Sequence, residues 1–228
     1  MPKPPKPGRR AALGASLGLA AASTLAQAQM LWQRRARERA PQANSAEERR
    51  ILEVLEDVYR NHRYLSVPIE DGRLLRILAE SIGARHAVEV GTSTGYSGLW
   101  LLLALAKTGG HLTTYEIDRG RHELARKNFE RAGVGSFATL VLGDAHAEVT
   151  QLKDPIDFLF LDADKEGYID YLAKLRPLVR PGGLVVAHNM VSPPPDPRYV
   201  EAVTTDPALE TIFLNMDEAG VGVTLKKR

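Results

Sequence analysis

The fold of this chain is decided by residues 87–96, AVEVGTSTGY, which join a short apolar segment to a glycine-rich turn. The apolar residues predict a β-strand that carries one acidic side chain, Glu89, near its end. Gly91 and Gly95 predict a turn, and the residues that follow predict a helix that opens near Ser97. Such a junction places backbone N–H groups at the carboxyl edge of a parallel sheet, where open α/β folds bind ligands.

The glycine spacing favours one class of ligand over another. The turn reads Gly-x-x-x-Gly and lacks the Gly-x-Gly-x-x-Gly fingerprint, which disfavours a nicotinamide-dependent dehydrogenase. The longer pattern Glu-x-Gly-x-x-x-Gly-Tyr-Ser resembles the first motif of class I S-adenosylmethionine (SAM) methyltransferases. An ordinary βα turn, whose glycines serve only packing, is the alternative. The resemblance implies cosubstrate contacts from Glu89, Gly91, Thr92, Gly95, Tyr96 and Ser97.

Downstream of residue 85 the chain alternates between strand and helix patterns with short connections. Apolar, β-branched runs predict parallel strands at residues 86–90, 111–116, 137–142, 156–161 and 184–187. Helices are predicted at residues 97–107, 119–132, 146–152 and 168–178, with Gly109, Gly133 and Gly182-Gly183 where helices should stop. Two more strands are predicted at residues 210–215 and 221–226. The pattern therefore predicts an α/β fold with a doubly wound, Rossmann-like sheet of seven strands, whose C-terminal pair is antiparallel.

Charge and cysteine content exclude several classes of protein. Ten basic residues and only three acidic ones precede residue 51, although the formal net charge of the whole chain is only +2. The body of the domain is therefore acidic, which argues against a broad nucleic-acid-binding surface. The chain has no cysteine, and this excludes disulfides, cysteine nucleophiles and thiolate metal sites.

Two further strand ends carry acidic residues suited to a nucleoside cosubstrate. Glu116 ends the second strand and could accept both ribose hydroxyls, whereas Asp118 is placed as the N-cap of the next helix. Asp144 follows the third strand, where its carboxylate and the N–H of Ala145 could bind the adenine amino edge. Acids at strand ends often only cap helices, but three of them in register favour a ligand site.

The end of the fourth strand, LDADKEGY at residues 161–168, makes the resemblance specific. Together with the glycine turn, the Tyr-Glu-Ile-Asp segment and the C-terminal Gly-Val-Thr-Leu, it resembles the catechol and caffeoyl-CoA O-methyltransferase family over roughly residues 45–227. The resemblance implies that Asp162 binds a divalent cation and that Lys165 acts near the substrate hydroxyl. It also implies that Asp164 lies toward the cosubstrate.

Two helices are predicted ahead of the sheet. Ser45 and Glu48 form a capping-box pattern, and apolar residues at helical spacing follow it. A second helix should run from about residue 71 to 82. Pro68 favours an extended conformation for Val67, so the link between the helices is not helical throughout. The family resemblance implies that this link lies over the cosubstrate, with Val67 as a contact.

Residues 1–44 are predicted to be a basic extension outside the methyltransferase domain, which is assigned to residues 45–228. Arg9-Arg10 precedes an uncharged run that resembles a secretory signal with a small-x-small end. The run is only mildly hydrophobic and arginines follow it closely, which disfavours translocation. We expect a cytoplasmic protein with a nonfunctional extension. Export or membrane anchoring through residues 9–28 is the alternative, and membrane contact is expected only through this segment.

The fifth strand departs from the family pattern. The family has Asp-Asn after this strand, both contacting the metal, and this chain has His188 and Asn189. Carboxylate and amide oxygens suit Mg²⁺, whereas imidazole suits zinc or iron better. A metal site of Asp162, His188 and Asn189 is the prediction. Weaker or different metal use, a metal-free mechanism with His188 as general base, and loss of activity all stay open. Residues 191–207 form a short, proline-rich connection, which suggests an open acceptor site.

These patterns predict a SAM-dependent O-methyltransferase for a small hydroxylated acceptor, and the resemblance favours an aromatic one. A divalent cation would stabilise the phenolate, and Lys165 would take the proton, with Asp162 and His188 beside it. A SAM-binding protein with lost or metal-independent transferase activity is the alternative. A nucleic-acid methyltransferase is disfavoured because Asn189 is not followed by Pro-Pro-Tyr. No nucleic-acid partner is expected, and a homodimer stays open.

Overall fold

The computed structural model describes residues 39–216 and 218–228, which are built around one seven-stranded sheet. Its strands are β1 (His86–Val90), β2 (His111–Glu116), β3 (Ala138–Leu142), β4 (Ile156–Leu161), β5 (Val179–His188), β6 (Leu209–Leu214) and β7 (Val221–Lys226). The strand order is β3-β2-β1-β4-β5-β7-β6. Strands β1 to β5 pair in parallel, and β7 pairs antiparallel with both β5 and β6. The predicted doubly wound sheet with an antiparallel C-terminal pair is confirmed.

The helices of the described chain cover the two faces of this sheet. They are α1 (Ala46–Asn61), α2 (Ile69–Ser81), α3 (Tyr96–Thr108), α4 (Arg119–Arg131), α5 (Ala145–Glu148), α6 (Tyr168–Leu175) and α7 (Pro197–Thr205). Residues of α1 to α4 share one hydrophobic cluster, and residues of α6 and α7 share another. Alternate residues of β4 belong to opposite clusters, Phe158 and Phe160 to the first and Leu159 and Leu161 to the second. Both faces are buried, which explains why the strands are apolar throughout.

The capping and packing of the first three helices follow from their sequences. Ser45 caps α1 by accepting the N–H of Glu48 at 3.1 Å, as predicted. The Glu48 carboxylate returns to the N–H of Asn44 instead of that of Ser45. Helix α3 is apolar on every side because α1 and α2 cover the face that the sheet does not. A Cβ atom at Gly72 would lie 2.2 Å from the Trp100 ring, so glycine allows α2 to pack directly on α3.

The structure differs from the sequence predictions in two places and contains a helix in a third place where none was predicted. Strand β5 begins at Val179, so Gly182-Gly183 lie inside a strand and not at the end of a helix, and α6 ends already at Leu175. The predicted helix at residues 146–152 is one α-turn followed by a 3₁₀ turn. Helix α7 occupies part of the proline-rich connection, for which no helix was predicted. Its sequence signature was present, since Asp196 caps it and Pro197 is its first residue.

Residues Ala43–Arg228 form one compact unit. Residues 9–28, for which a signal or anchor was considered, lie outside the described residues. In the part of the chain that the structure describes, no helix has the length and apolar character needed to cross a bilayer.

Candidate active site

A cleft of about 830 Å³ opens where the parallel strands β1 to β5 end. It is bordered by the glycine turn after β1, by the residues that follow β2 to β5 and by part of the link between α1 and α2. The lining contains most of the predicted site residues, namely Gly91, Thr92, Tyr96, Ser97, Glu116, Asp144, Ala145, Asp162, Asp164, Lys165, His188 and Asn189. The fold therefore brings residues from five separate strand ends into one space.

The turn after β1 approaches the end of β4 so closely that only glycine fits. Gly91 has a φ of +104°, and a Cβ atom there would lie 2.3 Å from the carbonyl oxygen of Asp162. The N–H groups of Gly91 and Thr92 both donate to the carbonyl of Tyr115, at 3.1 Å. Gly95, with a φ of +83°, precedes the first residue of α3. Gly91 therefore joins neighbouring strand ends and lines the cleft, whereas the predicted contact Gly95 packs against Phe129 and does not line it.

Glu89 lies beneath the turn instead of facing the cleft. It is completely buried, and its carboxylate accepts hydrogen bonds from Ser97 Oγ and Thr114 Oγ1, both at 2.6 Å. Burial raises the pKa of Glu89 to about 7, against the opposing effect of these two hydroxyls. The structure thus gives Glu89 the role of orienting Ser97, which does line the cleft.

Glu116 lines the cleft and is held firmly by the protein. Its Oε2 accepts the N–H of Ser93 at 2.7 Å. Its Oε1 accepts the N–H of Asp118 at 2.9 Å and the guanidinium of Arg121 at 3.0 and 3.1 Å. The Asp118 side chain caps α4, as predicted. Arg121 was missed by the sequence analysis, because no helix-spacing rule links a residue at a strand end with one in the following helix.

The residues after β3 and β4 meet in a second polar group. Asp164 accepts the hydroxyl of Tyr171 at 2.7 Å and faces His146 Nε2 at 3.3 Å. The rings of His146 and Tyr171 stack with centroids 4.3 Å apart, and Asp170 contacts the other ring nitrogen of His146 at 2.6 Å. The hydrogen bond to Asp170 raises the pKa of His146. Asp144 caps the short helix α5 by accepting the N–H of His146. His146 and Tyr171 also line the cleft, and the sequence analysis missed both.

The link between α1 and α2 borders the cleft, but the residue predicted as the contact, Val67, is not among those that line it. Val67 is buried in the hydrophobic cluster of α1 to α4, with 1% of its surface exposed. Its predecessors Tyr64, Leu65 and Ser66 line the cleft. The Ser93 hydroxyl donates to the carbonyl of Tyr64 at 2.7 Å, which attaches the link to the glycine turn. Val67 therefore anchors the link, while the three residues before it face the cleft.

Lys165 is held by two partners beside the end of β4. Its Nζ lies 2.8 Å from Asp162 Oδ1 and 2.8 Å from the Tyr168 hydroxyl. The Tyr168 hydroxyl donates its own proton to the carbonyl oxygen of His188 at 3.1 Å, so it accepts from Lys165. Burial raises the pKa of Tyr168 well above its ordinary value, and the phenol stays protonated. The arrangement fixes the direction of the Lys165 side chain.

His188 lies between two carboxylates. Its Nε2 is 3.0 Å from Asp71 Oδ2, and its Nδ1 is 3.4 Å from Asp162 Oδ1. Burial lowers the pKa of His188, but the hydrogen bonds and charges of Asp162 and Asp71 outweigh it and raise the pKa to about 9. An imidazolium has no lone pair to accept a proton, so this arrangement opposes the alternative in which His188 acts as general base. The sequence analysis missed Asp71, which reaches the site from α2.

The donor set does not fit the divalent cation that the family resemblance implies. A metal-bound imidazole presents a nitrogen lone pair to the ion, but both nitrogens of His188 face carboxylates. Asp162 Oδ1 already faces Lys165, and the side-chain amide of Asn189 donates to the carbonyl of Ser192 at 2.7 Å. Across residues 39–216 and 218–228, no group of three or more His, Cys, Asp or Glu side chains is arranged to hold an ion. As arranged, His188 does not present the ligand atom that the predicted metal site requires, whereas the side-chain oxygen of Asn189 stays available.

Comparisons with known proteins bear on this cleft. A family model described as O-methyltransferase matches residues 42–193. A catechol O-methyltransferase from Niastella koreensis is 36% identical over 150 residues, which are 64% of this chain and 66% of that protein. A probable O-methyltransferase from Mycobacterium tuberculosis is 42% identical over 120 residues, 52% of this chain and 53% of that protein. The chain thus matches about half to two thirds of the length of these curated relatives.

Solved structures have the same fold. An O-methyltransferase from Bacillus cereus in complex with S-adenosylhomocysteine superposes with a TM-score of 0.68 at 27% identity, covering 81% of this chain and 92% of that one. An O-methyltransferase of tomaymycin synthesis from Streptomyces achromogenes, in complex with SAM, gives a TM-score of 0.65 at 26% identity, covering 82% and 92%. The similarity to each of them extends over most of both chains.

Proposed function

The chain belongs to the O-methyltransferase family, and on that premise we propose that it transfers a methyl group from SAM to a hydroxyl of a small acceptor, with a catechol-type aromatic as first candidate. The observation that carries the proposal is the cleft, which brings the glycine turn and Glu116 into one space with Lys165. The catechol O-methyltransferase relative supports the aromatic acceptor. The two relatives with bound SAM or S-adenosylhomocysteine support the cosubstrate.

The strand ends on the β1 and β2 side would bind the cosubstrate. Oε2 of Glu116 accepts the N–H of Ser93 and retains capacity for one ribose hydroxyl, while Oε1 is occupied by three donors. The backbone at Gly91 and the N-terminus of α3 favour the anionic carboxylate of the methionine moiety. Asp144 and Ala145, which line the same cleft, would border the adenine.

Lys165 is the proposed base. In the neutral amine form that acts as base, two N–H groups of its Nζ point to Asp162 and Tyr168, and the lone pair takes the third tetrahedral position, toward the acceptor hydroxyl. The hydroxyl proton passes to the lone pair of Nζ, and the acceptor oxygen forms a bond to the methyl carbon. The carbon–sulfur bond breaks, and its electron pair neutralises the sulfonium. The products are a methyl ether and S-adenosylhomocysteine, and the cleft contributes by holding both reactants in line.

Isothermal titration calorimetry with SAM tests the cosubstrate half of the proposal. Glu116→Gln should weaken SAM binding by about 1.5–3 kcal/mol, or roughly 10–150-fold, because a hydrogen bond to a charged group is lost. Glu123→Gln is the matched control, since Glu123 pairs with Arg126 on the exposed side of α4. Unchanged affinity in folded Glu116→Gln would refute the site, and binding of NAD in place of SAM would refute the proposal. Mass spectrometry of catechol incubated with SAM then tests the transfer.

A further inference from the structure

Four ionisable side chains form one continuous chain of contacts beside the proposed acceptor position. They are Asp71 from α2, His188 at the end of β5, and Asp162 and Lys165 after β4. Successive contacts are 3.0 Å from Asp71 to His188, 3.4 Å from His188 to Asp162, and 2.8 Å from Asp162 to Lys165. Side-chain exposure is 3%, 8%, 12% and 18% in the same order. The chain therefore runs from the interior of the domain to the cleft.

His188 and Asp162, the two middle residues of this chain of contacts, hold Lys165 through a closed ring of contacts. Asp162 accepts from Lys165, and Tyr168 accepts from Lys165 while donating to the main-chain carbonyl of His188. The side chain of His188 faces Asp162 and completes the ring. A shift of the His188 ring would therefore move Asp162, and with it the nitrogen that faces the acceptor.

The imidazole of His188 stands at the sequence position where the family pattern has a metal-ligating carboxylate. A ring whose nitrogens both face carboxylates presents no ligand atom to an ion, and it fills the space beside Asp162. Buried carboxylates such as Asp71 and Asp162 need a partner in this low-dielectric region. The imidazole of His188 supplies that partner for both of them.

We infer that His188, clamped between Asp71 and Asp162, replaces the divalent cation of the family pattern, so that methyl transfer proceeds without a metal. Lys165 touches the acceptor hydroxyl. Asp71 and His188 are positioning residues that act on Lys165 through Asp162. The inference rests on the proposed function, because it concerns the hydroxyl that this function methylates.

Metal titration of the wild-type protein is the first test, and it does not depend on turnover. We expect no calorimetric binding of Mg²⁺, Mn²⁺ or Zn²⁺ in the presence of S-adenosylhomocysteine, and no stoichiometric metal by elemental analysis of the purified protein. Turnover of catechol should be unchanged by a chelator. Stoichiometric binding that Asp162→Asn abolishes, or turnover that a chelator stops and a divalent cation restores, would overturn the inference.

His188→Asp tests whether the ring occupies the place of a cation. The introduced carboxylate, Asp162 and Asn189 together offer the oxygen ligands that Mg²⁺ prefers. We expect Mg²⁺ binding to appear in this variant, and its turnover to fall at least about tenfold when a chelator is added. A purely structural role of His188 would not create a metal requirement. If folded His188→Asp binds no Mg²⁺, the ring does not stand in for a cation and the inference fails.

Asp71→Asn tests the distant end of the chain of contacts. We expect a drop in kcat of about 10–100-fold, with the KM for SAM within about twofold of the wild type, because the cosubstrate contacts are untouched. Glu80→Gln on the same helix is the control, since Glu80 is partly exposed and pairs with Arg76. Equal effects of the two variants, or a loss confined to the KM for SAM, would remove Asp71 from the proposal. Failure of SAM binding itself would instead reject the proposed function and leave the metal titrations to be judged separately.

Discussion

The two sides of the cleft handle buried acidic groups in opposite ways. On the β1–β2 side, Glu89 is completely buried, and two neutral hydroxyls donate to it. Its pKa is raised to about 7, so it releases part of its charge by taking up a proton. On the β4–β5 side, Asp71 and Asp162 are paired with the side chain of His188, and Asp162 also with Lys165. A buried carboxylate can be neutralised by a proton or by a partner, and this site uses both solutions.

The difference shows how far a family resemblance can be transferred. The β1–β2 side keeps the glycine turn, the acid at the end of β2 and the serine at the start of α3, and all of them line the cleft. The β4–β5 side keeps Asp162, Lys165 and Asn189 but has His188 in place of a carboxylate. On the proposed mechanism, this one side chain would change the chemistry of the β4–β5 side and leave cosubstrate binding on the β1–β2 side intact.

Substitution of Lys165 should break the β4–β5 side alone, and we expect it to have the largest effect. Lys165→Met should lower kcat for catechol methylation by about 10²–10⁴-fold, the range for loss of a positioned acid or base. SAM affinity, measured by calorimetry, should stay within about threefold of the wild type. Lys165→Arg should not restore turnover, because a guanidinium does not deprotonate in proteins.

Lys153→Met is the surface control for this prediction, since the Lys153 ammonium donates to the carbonyl of Thr150 on the exposed surface. Its turnover should match the wild type. A comparable loss of SAM affinity in Lys165→Met would mean that the two sides are not separable. Activity retained in Lys165→Arg would reduce the role of Lys165 to that of a positive charge.

Substitution of Gly91 should damage both sides at once, because the turn after β1 abuts the end of β4. Gly91→Ala imposes a positive φ on alanine and drives its Cβ toward the carbonyl of Asp162. We expect a loss of about 3–4 kcal/mol in the free energy of unfolding by urea denaturation. Gly83→Ala is the control, since Gly83 also has a positive φ, of 61°, but a Cβ atom added there would meet nothing within 4 Å. Equal losses of unfolding free energy in the two variants would show that the contact with the carbonyl of Asp162 does not add to the cost of a positive φ.

The two sides of the cleft should differ in the pH range over which they change the stability of the protein. The raised pKa of His188 contributes stability that is fully present below pH 6.5 and is lost as the pH rises through about 9. Between about pH 4.5 and pH 7, Glu89 is ionised in the unfolded chain but still protonated in the folded protein, because its pKa is raised on folding. Stability therefore again falls as the pH rises through this range. Each change should be at most about 3 kcal/mol.

The free energy of unfolding, measured by urea denaturation across these pH ranges for the wild type and two variants, tests both effects. His188→Gln should remove the fall in stability between about pH 6.5 and 9. Glu89→Gln should remove the fall between about pH 4.5 and 7. A wild-type profile that stays flat from pH 6.5 to 9 would show that His188 is not held as a cation between Asp71 and Asp162.

Local patterns were sufficient for most of the fold and for the residues at strand ends. The glycine turn, the cap at Ser45 and the apolar strands each depend on neighbours in sequence, so periodicity and turn chemistry could predict them. Helix α7 had an equally local signature in Asp196 and Pro197, which the proline-rich connection obscured. The early start of β5 could not be predicted from neighbouring residues, because the pairing of Val179 with β4 places it in the sheet.

The remaining site residues depend on contacts between distant segments. Asp71 meets His188 across 117 positions of sequence, and His146 meets Asp170 across 24. No spacing rule connects such pairs, because the packing of α2 on α3 and of α6 on the sheet decides them. For the same reason the sequence could identify His188 as a departure from the family but could not show that both of its nitrogens are occupied.

The position of β7 determines when this site can be completed. This strand is made last of the seven, yet it lies between β5 and β6, and Val221 pairs with His188. The residues before it continue the attachment, since Gly220 accepts the N–H of Met190 at 3.1 Å. A chain emerging from the ribosome can therefore build the strands that hold the glycine turn and Glu116 first. Strand β5 keeps an open edge, and β6 has no neighbour within the sheet, until residues 221–226 have been translated. Residues 221–226 thus complete the pairing of the strand that ends in His188 only after the strands that carry the glycine turn and Glu116 have been synthesised.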